Sequence, residues 1–156
     1  MKSLSFKIIV CAIICLTLGT LSGFSTMHEI TNWYQFLIKP SFNPPNWIFG
    51  PVWTLLYLMM GVSLGIIWHS TLEGRKKAMQ LFAVQFVLNL GWSFLFFNLH
   101  MLGIAFVEII AMLIAIIFTI FAFYKVNKTA SFLLIPYLCW VSFASFSNIS
   151  IWLLNK

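Results

Sequence analysis

The sequence has very few charged residues. Of its 156 residues, 8% are charged and only three are acidic, whereas an ordinary soluble domain carries roughly 25% charged residues. Apolar residues make up 62% of the chain, which is more than so few polar groups can cover in a soluble protein of this length. The shortage of charge therefore excludes a water-soluble domain and favours a protein that is dissolved in a lipid bilayer.

Residue patterns that carry common chemistry are also missing. The three cysteines form no CxxC pair, and no two of the three histidines are four residues apart, so we expect no metal site and no axial haem ligand. The chain lacks a phosphate-binding glycine loop, a nucleophile elbow and a pair of carboxylates. Its net charge of +6 has no soluble domain on which to form a basic patch, so we expect no nucleic-acid partner.

Long apolar runs are what the sequence does have. A bilayer core about 30 Å thick needs about 20 apolar helical residues, and five runs qualify: residues 8–27, 47–68, 78–99, 101–124 and 129–154. Only helices and closed barrels satisfy the backbone in lipid, and these runs are too long for barrel strands. The sequence predicts an all-α membrane protein, a compact bundle of five transmembrane helices forming one domain over residues 1–156.

The distribution of lysine and arginine predicts the orientation. Seven of these residues fall on one side of the predicted membrane and two on the other, and basic loops stay in the cytoplasm. We therefore expect a cytoplasmic N-terminus and an outer loop at residues 28–46. The length of the first run, with no A-x-A site after it, favours a mature span over a cleavable signal peptide. The two sets are Lys2, Lys7, Arg75, Lys76, Lys77, Lys125 and Lys128 on the inside, and Lys39 and Lys156 on the outside.

The outer loop is rich in proline. Lys39–Pro40 and the pair Pro44 and Pro45 precede the second span, and proline fixes φ and removes a backbone donor. An interfacial aromatic belt explains the nearby tryptophans but not so many prolines. We predict a stiff lid that includes Lys39, Pro40, Pro44 and Pro45.

Three spans carry polar or aromatic faces at helical spacing. Gln85, Asn89, Trp92 and Phe96 share one face of the third span, and amides avoid lipid, so this face should point into the bundle. Trp53 and Tyr57 form an aromatic face on the second span. In the fifth span, Trp140, Ala144 and Ser147 form a stripe of large and small residues, which either packs tightly or leaves a groove.

Glu108 is the only charged residue within the predicted spans. An intramembrane carboxyl is typical of proton or ligand handling. The alternative is a protonated or hydrogen-bonded carboxyl that joins helices, and both interpretations stay open.

Three motifs, in order along the chain, resemble a known family. They are KPSFNPPNWIFGPVWTLLY (Lys39–Tyr57), LNLGW (Leu88–Trp92) and PYLCWVSFA (Pro136–Ala144). With these motifs the chain resembles, over nearly its whole length, the translocator protein family, whose members are also called tryptophan-rich sensory proteins or peripheral benzodiazepine receptors.

The resemblance implies a homodimeric five-helix bundle in a bacterial cell membrane, with a pocket beneath the first loop. Family members bind porphyrins, notably protoporphyrin IX, and isoquinoline or benzodiazepine-type drugs, and bacterial members are linked to tetrapyrrole regulation and stress. No cofactor is implied, because porphyrin is itself the ligand or substrate. Carried over by position, the ligand-binding residues are Tyr34, Trp53, Tyr57, Asn89, Trp92, Trp140 and Ala144.

The resemblance leaves more than one function open. The protein is either a tetrapyrrole receptor or carrier, or an enzyme that degrades porphyrin in light with Trp53 and Trp140 as catalytic residues on opposite pocket walls. A structural scaffold is the third reading, which requires that no pocket opens. The porphyrin propionates would lie near Lys39 and His28. The animal sterol-recognition motif is incomplete, because Ile149 and Leu153 stand where that motif carries tyrosine and arginine.

Overall fold

The computed structural model describes residues 3–156; Met1 and Lys2, one of the lysines used to predict orientation, lie outside this range. Five segments are long and apolar enough to cross a membrane, and the described residues contain no strand. The predicted all-α membrane bundle is confirmed. Its helices are α1 (Leu4–Asn32), α2 (Phe49–His69), α3 (Arg75–Ser93), α4 (Leu102–Val126), α5 (Lys128–Phe132) and α6 (Ile135–Leu154).

Helices α1 and α2 are the most extensively packed pair of helices in the bundle. A Cβ added at Gly61 would collide with the backbone of Ala12, and one added at Gly65 would collide with the backbone of Ile8. Small residues let helix backbones approach closely in lipid, where no hydrophobic effect drives helices together. The close approach holds together the halves of α1 and α2 that lie away from the lid. The other half of α1 forms one wall of the site described below.

The predicted first span and lid need correction at their boundary. Helix α1 runs from Leu4 to Asn32 instead of 8–27, and a 3-10 turn at Tyr34–Phe36 follows it. No glycine or proline interrupts residues 28–32, so nothing ends the helix at the predicted position. A second 3-10 turn at Asn46–Ile48 precedes α2. The irregular part of the lid is therefore only residues 37–45, shorter than the predicted 28–46.

The third and fifth spans are not the uninterrupted helices that the sequence predicts. Residues 78–93 belong to α3, which passes directly into a π-helical turn at Phe94–Asn98. Residues 129–154 are divided into α5 and α6, because Pro136 near the start of α6 has no N–H to continue the ladder from α5. The second and fourth spans begin and end within two residues of the prediction.

Candidate ligand-binding site

A cavity of about 540 Å³ lies beneath the lid, between the lid-side halves of α1, α2, α3 and α6. Its volume is within the range of about 300–1,000 Å³ that is typical of small-molecule sites. Four of the seven tryptophans line it: Trp47, Trp53, Trp92 and Trp140. The cavity is therefore lined by aromatic rings and lies in the lid-side half of the bundle.

All seven residues that the family resemblance assigns to the pocket line this one cavity. They come from the lid and three helices: Tyr34, Trp53, Tyr57, Asn89, Trp92, Trp140 and Ala144. Of the predicted lid residues, Pro44 lines the cavity, whereas Lys39, Pro40 and Pro45 do not reach its wall. Pro45 instead caps the 3-10 turn before α2. Ligand binding by these residues stays a prediction.

The two indoles predicted to be catalytic both line the cavity, Trp53 from α2 and Trp140 from α6. Trp53 stacks on Tyr57, with ring centroids 5.5 Å apart, and meets Tyr137 of α6 edge-on at 6.4 Å. Phe49, one turn before Trp53, meets Trp140 at 6.2 Å. Each indole therefore contacts an aromatic ring of the other helix.

The amide of Asn89 is part of a buried hydrogen-bond chain. The Tyr57 hydroxyl donates to Asn89 Oδ1 (2.7 Å), and Asn89 Nδ2 donates to the Tyr137 hydroxyl (3.1 Å). The Tyr137 hydroxyl in turn donates to Gln85 Oε1 (2.8 Å). Asn89 and Gln85 are almost fully buried, which confirms that the polar face of the third span points into the bundle. The chain joins α2, α3 and α6 behind the cavity wall.

Trp92 is fixed by a second polar group. Its indole Nε1 donates to Asn148 Oδ1 on α6 (3.0 Å), and Asn148 Nδ2 donates to the carbonyl of Leu102 at the start of α4 (2.9 Å). Since both side chains are buried, the indole ring has a defined orientation on the wall. This orientation leaves its face for packing, because the polar edge is already paired.

The lid is attached to α6 at two points. Asn43 Oδ1 accepts hydrogen bonds from the hydroxyls of Tyr34 (3.0 Å) and Ser147 (3.2 Å). Asn155 Nδ2 donates to the carbonyl of Ile38 (2.9 Å), and the N–H of Ile38 donates to Asn155 Oδ1 (3.0 Å). Hydrogen bonds of Asn43 and Asn155 therefore join the lid to α6 and its C-terminal end.

The two basic side chains expected near a ligand carboxylate, Lys39 and His28, already contact groups of the protein. The Lys39 ammonium lies 4.7 Å from the centre of the Tyr34 ring and donates to the carbonyls of Gln35 and Leu37. Partial burial lowers the pKa of Lys39, and burial raises the pKa of Tyr34, although its bond to Asn43 opposes that rise. His28 is largely exposed and contacts Glu29. An incoming carboxylate would meet Lys39 with one N–H still free.

Sequence reasoning missed the wall that α1 contributes. Gly19, Gly23, Thr26 and Ile30 line the cavity, and their spacing of four, three and four residues places them on one helix face. Small and apolar residues with this spacing are common in packed helices, so the pattern alone did not separate a cavity wall from a helix contact. Asn43, which joins the lid to α6, carries no periodic signal.

Glu108 has no hydrogen-bond partner for either carboxyl oxygen among the described residues, although both atoms are buried. A Cβ on Gly91 of α3 would lie 3.7 Å from its Oε1, so the carboxyl faces the α3 backbone. Among residues 3–156 the carboxyl therefore forms no hydrogen-bonded link between helices, and the alternatives of a protonated carboxyl and of proton or ligand handling stay open. Glu108 does not line the cavity.

Comparison with known proteins gives a family match over most of the chain. The profile of the TspO/MBR family matches residues 11–153. The tryptophan-rich protein TspO of Chlorobaculum tepidum is 44% identical over 150 residues, which cover 93% of each chain. The protein of the same name from Archaeoglobus fulgidus is 42% identical over 149 residues, covering 96% of this chain and 97% of that one. The translocator protein of Homo sapiens is 36% identical over 140 residues, covering 87% of this chain and 83% of the human protein.

Proposed function

Because the chain belongs to the TspO/MBR family, we propose that it is a membrane receptor that binds porphyrin, and isoquinoline or benzodiazepine-type molecules, in its aromatic cavity. The observation that carries this proposal is the cavity of about 540 Å³ with four indoles on its walls. A flat apolar macrocycle gains free energy by stacking on such rings. The site needs no cofactor, since porphyrin is the ligand.

The chain is an integral membrane protein with bacterial and archaeal relatives. We propose in addition that it lies in a bacterial cell membrane with its N-terminus in the cytoplasm, and that it assembles as a homodimer. Among residues 3–156, no histidine or cysteine lines the cavity and could serve as an axial haem ligand. We therefore expect metal-free protoporphyrin IX to bind more tightly than haem, which needs an axial ligand.

A titration of the purified protein with protoporphyrin IX in darkness tests the receptor function. Trp53, Trp92 and Trp140 line the cavity, so bound porphyrin should quench tryptophan fluorescence in a saturable way, at one porphyrin per chain. Haem, added in the same way, is the comparison ligand. A linear, non-saturating decrease of fluorescence would mean partition into detergent or lipid and would reject the proposal.

A second candidate function is light-dependent degradation of the bound porphyrin. The observation that favours it is the position of Trp53 and Trp140 on the same cavity, with Trp53 stacked on Tyr57 at 5.5 Å. Indole is the most easily oxidised of the ordinary apolar side chains, and an excited porphyrin is an oxidant.

Trp53→Phe and Trp140→Phe distinguish the receptor from the enzyme, because phenylalanine keeps most of the stacking but resists oxidation. Each variant should bind porphyrin within about tenfold of the native affinity, since ring stacking contributes about 0.5–1.5 kcal/mol. If the protein is an enzyme, both should lose most of the light-dependent conversion, followed by the absorption spectrum. If both variants convert porphyrin at the native rate, the enzymatic function is rejected and only the receptor function remains.

A further inference from the structure

The hydrogen-bond chain behind the cavity connects residues that line the cavity to residues that do not. Tyr57 and Asn89 line the cavity, whereas Tyr137 and Gln85 do not and are each about 1% exposed. Each hydrogen bond is donated in the direction away from the cavity: Tyr57 donates to Asn89, Asn89 donates to Tyr137, and Tyr137 donates to Gln85. The state of the buried Gln85 can therefore affect what Tyr57 presents at the cavity.

The same four side chains can form the chain in the opposite direction. The oxygen and nitrogen ends of a carboxamide have nearly the same shape, and a hydroxyl proton rotates freely. If both amides turn over, Gln85 Nε2 donates to Tyr137, Tyr137 donates to Asn89 Oδ1, and Asn89 Nδ2 donates to Tyr57. Three hydrogen bonds are kept, and no ring or backbone has to move.

The inner end of the chain shows why neither direction is strongly preferred. In the observed direction, the buried Nε2 of Gln85 has no partner among residues 3–156, and an unpaired buried donor is costly. In the reverse direction Nε2 gains the Tyr137 oxygen, but Oε1 loses its partner. Each direction therefore leaves one end of the Gln85 amide unpaired, which keeps the two close in free energy.

We propose that Gln85 is a positioning residue that allows Tyr57 to offer a ligand either a hydrogen-bond acceptor or a donor. In the observed direction the Tyr57 proton is used by Asn89, so only the hydroxyl oxygen is available to a ligand N–H. In the reverse direction Tyr57 accepts from Asn89, and its proton is available to a ligand carbonyl. The inference rests on the proposed function, because it names two ligand classes for the same cavity: flat aromatic molecules with an N–H donor and flat aromatic molecules with a carbonyl acceptor.

Two probes of equal size separate these classes. Carbazole carries only an N–H donor, and 2-acetylnaphthalene carries only a carbonyl acceptor. Gln85→Met removes the inner acceptor, so the Tyr137 proton turns to Asn89 and the reverse direction is fixed. The sulfur of Met112, 3.7 Å from the Tyr137 hydroxyl, is too weak an acceptor to replace the amide.

The measured quantity is the ratio of the two affinities, from quenching of tryptophan fluorescence. In Gln85→Met the ratio should shift toward 2-acetylnaphthalene by about fivefold, the equivalent of about one net hydrogen bond. The carbonyl stretch of the bound ketone should also move to lower frequency than in the native protein. Gln80→Met, which removes an exposed amide from the same helix, is the matched control and should leave the ratio unchanged.

Tyr137→Phe cuts the chain and tests whether Gln85 acts through it. In the Tyr137→Phe background, Gln85→Met should no longer change the affinity ratio, whereas a general effect on packing would persist. Tyr57→Phe should weaken both probes, and it serves as the second variant if Gln85→Met does not assemble. An unchanged ratio in Gln85→Met, or native affinity for both probes in Tyr57→Phe, overturns the inference while the receptor function stands. If neither probe nor protoporphyrin IX binds the native protein, the proposed function itself fails.

Discussion

Single residues in this cavity serve the fold and the ligand at the same time. The sequence places Asn89 on an inward-facing polar stripe and, by family position, in the pocket, and the structure puts it there. What the sequence does not show is that both ends of its amide are already bonded, to Tyr57 on one side and Tyr137 on the other. Those partners lie on α2 and α6, and such long-range pairs leave no periodic pattern in the sequence.

Asn89→Leu should therefore weaken both stability and ligand binding. It leaves the hydroxyls of Tyr57 and Tyr137 without Asn89 in a buried site, at a cost of about 1–3 kcal/mol in the free energy of unfolding. It also removes the one N–H of Nδ2 that remains for an isoquinoline carboxamide, so binding should fall by about 1–2 kcal/mol. Thermal unfolding in detergent and titration of the ligand measure the two effects. Gln80→Leu is the control, and equal melting temperatures of the two variants would contradict the structural role.

Ala144 tests whether the stripe on α6 faces a cavity or a helix. The sequence left these alternatives open, and the structure puts Ala144 on the cavity wall. Ala144→Phe should fill part of the cavity and reduce porphyrin affinity at least tenfold, while the bundle still assembles, because overpacking costs only about 1–3 kcal/mol. Ala83→Phe adds the same ring to an exposed position on α3 and should bind porphyrin normally. Native affinity in Ala144→Phe would show that porphyrin binds elsewhere.

Whole helices were predictable wherever one physical rule controlled them. The length and hydropathy of each apolar run give the five spans, since a helix in lipid must cross the hydrocarbon core. The interruptions were less predictable. Pro136 gives a local reason for the break before α6, but no glycine or proline marks the π-turn at Phe94–Asn98, which lies where aromatic rings of α3 and the lid pack together.

Glycines in α1 and α2 give opposite predictions that depend only on packing. Gly61→Ala should lower the free energy of unfolding by about 1–3 kcal/mol, because the new methyl group collides with the Ala12 backbone. A Cβ at Gly23, in the middle of α1, meets nothing within 4 Å, so Gly23→Ala should raise it by about 0.5–1 kcal/mol through helix propensity. Unfolding of both variants in a detergent series measures the difference. Destabilisation of equal size at both sites would contradict the close α1–α2 contact.

Positive charge is distributed unequally between the two ends of the bundle. Lys7 and Arg75 both donate to the carbonyl of Trp68, so the inner basic residues gather where α1, α2 and α3 meet. At the other end the lid is bonded to Asn155 near the C-terminus. The cavity lies beneath the lid, at the end with few positive charges. Charge distribution therefore predicts that the lid and the cavity face the outer side of the membrane.

Thiol labelling of intact cells tests this orientation. A cysteine at Ser41, exposed in the lid, should react with a membrane-impermeant maleimide added outside, whereas one at Glu73, exposed in the connection between α2 and α3, should react only after the membrane is opened. Glu73 is a better position than Gly74, whose φ of 88° strains any residue with a side chain. The native Cys139 is exposed on α6, so the experiment requires a background with all three cysteines replaced, and that background is the control. Because seven basic residues against two favour one orientation, we expect Ser41→Cys to be labelled at least tenfold faster than Glu73→Cys. The reverse order would place the lid on the cytoplasmic side and contradict the predicted orientation.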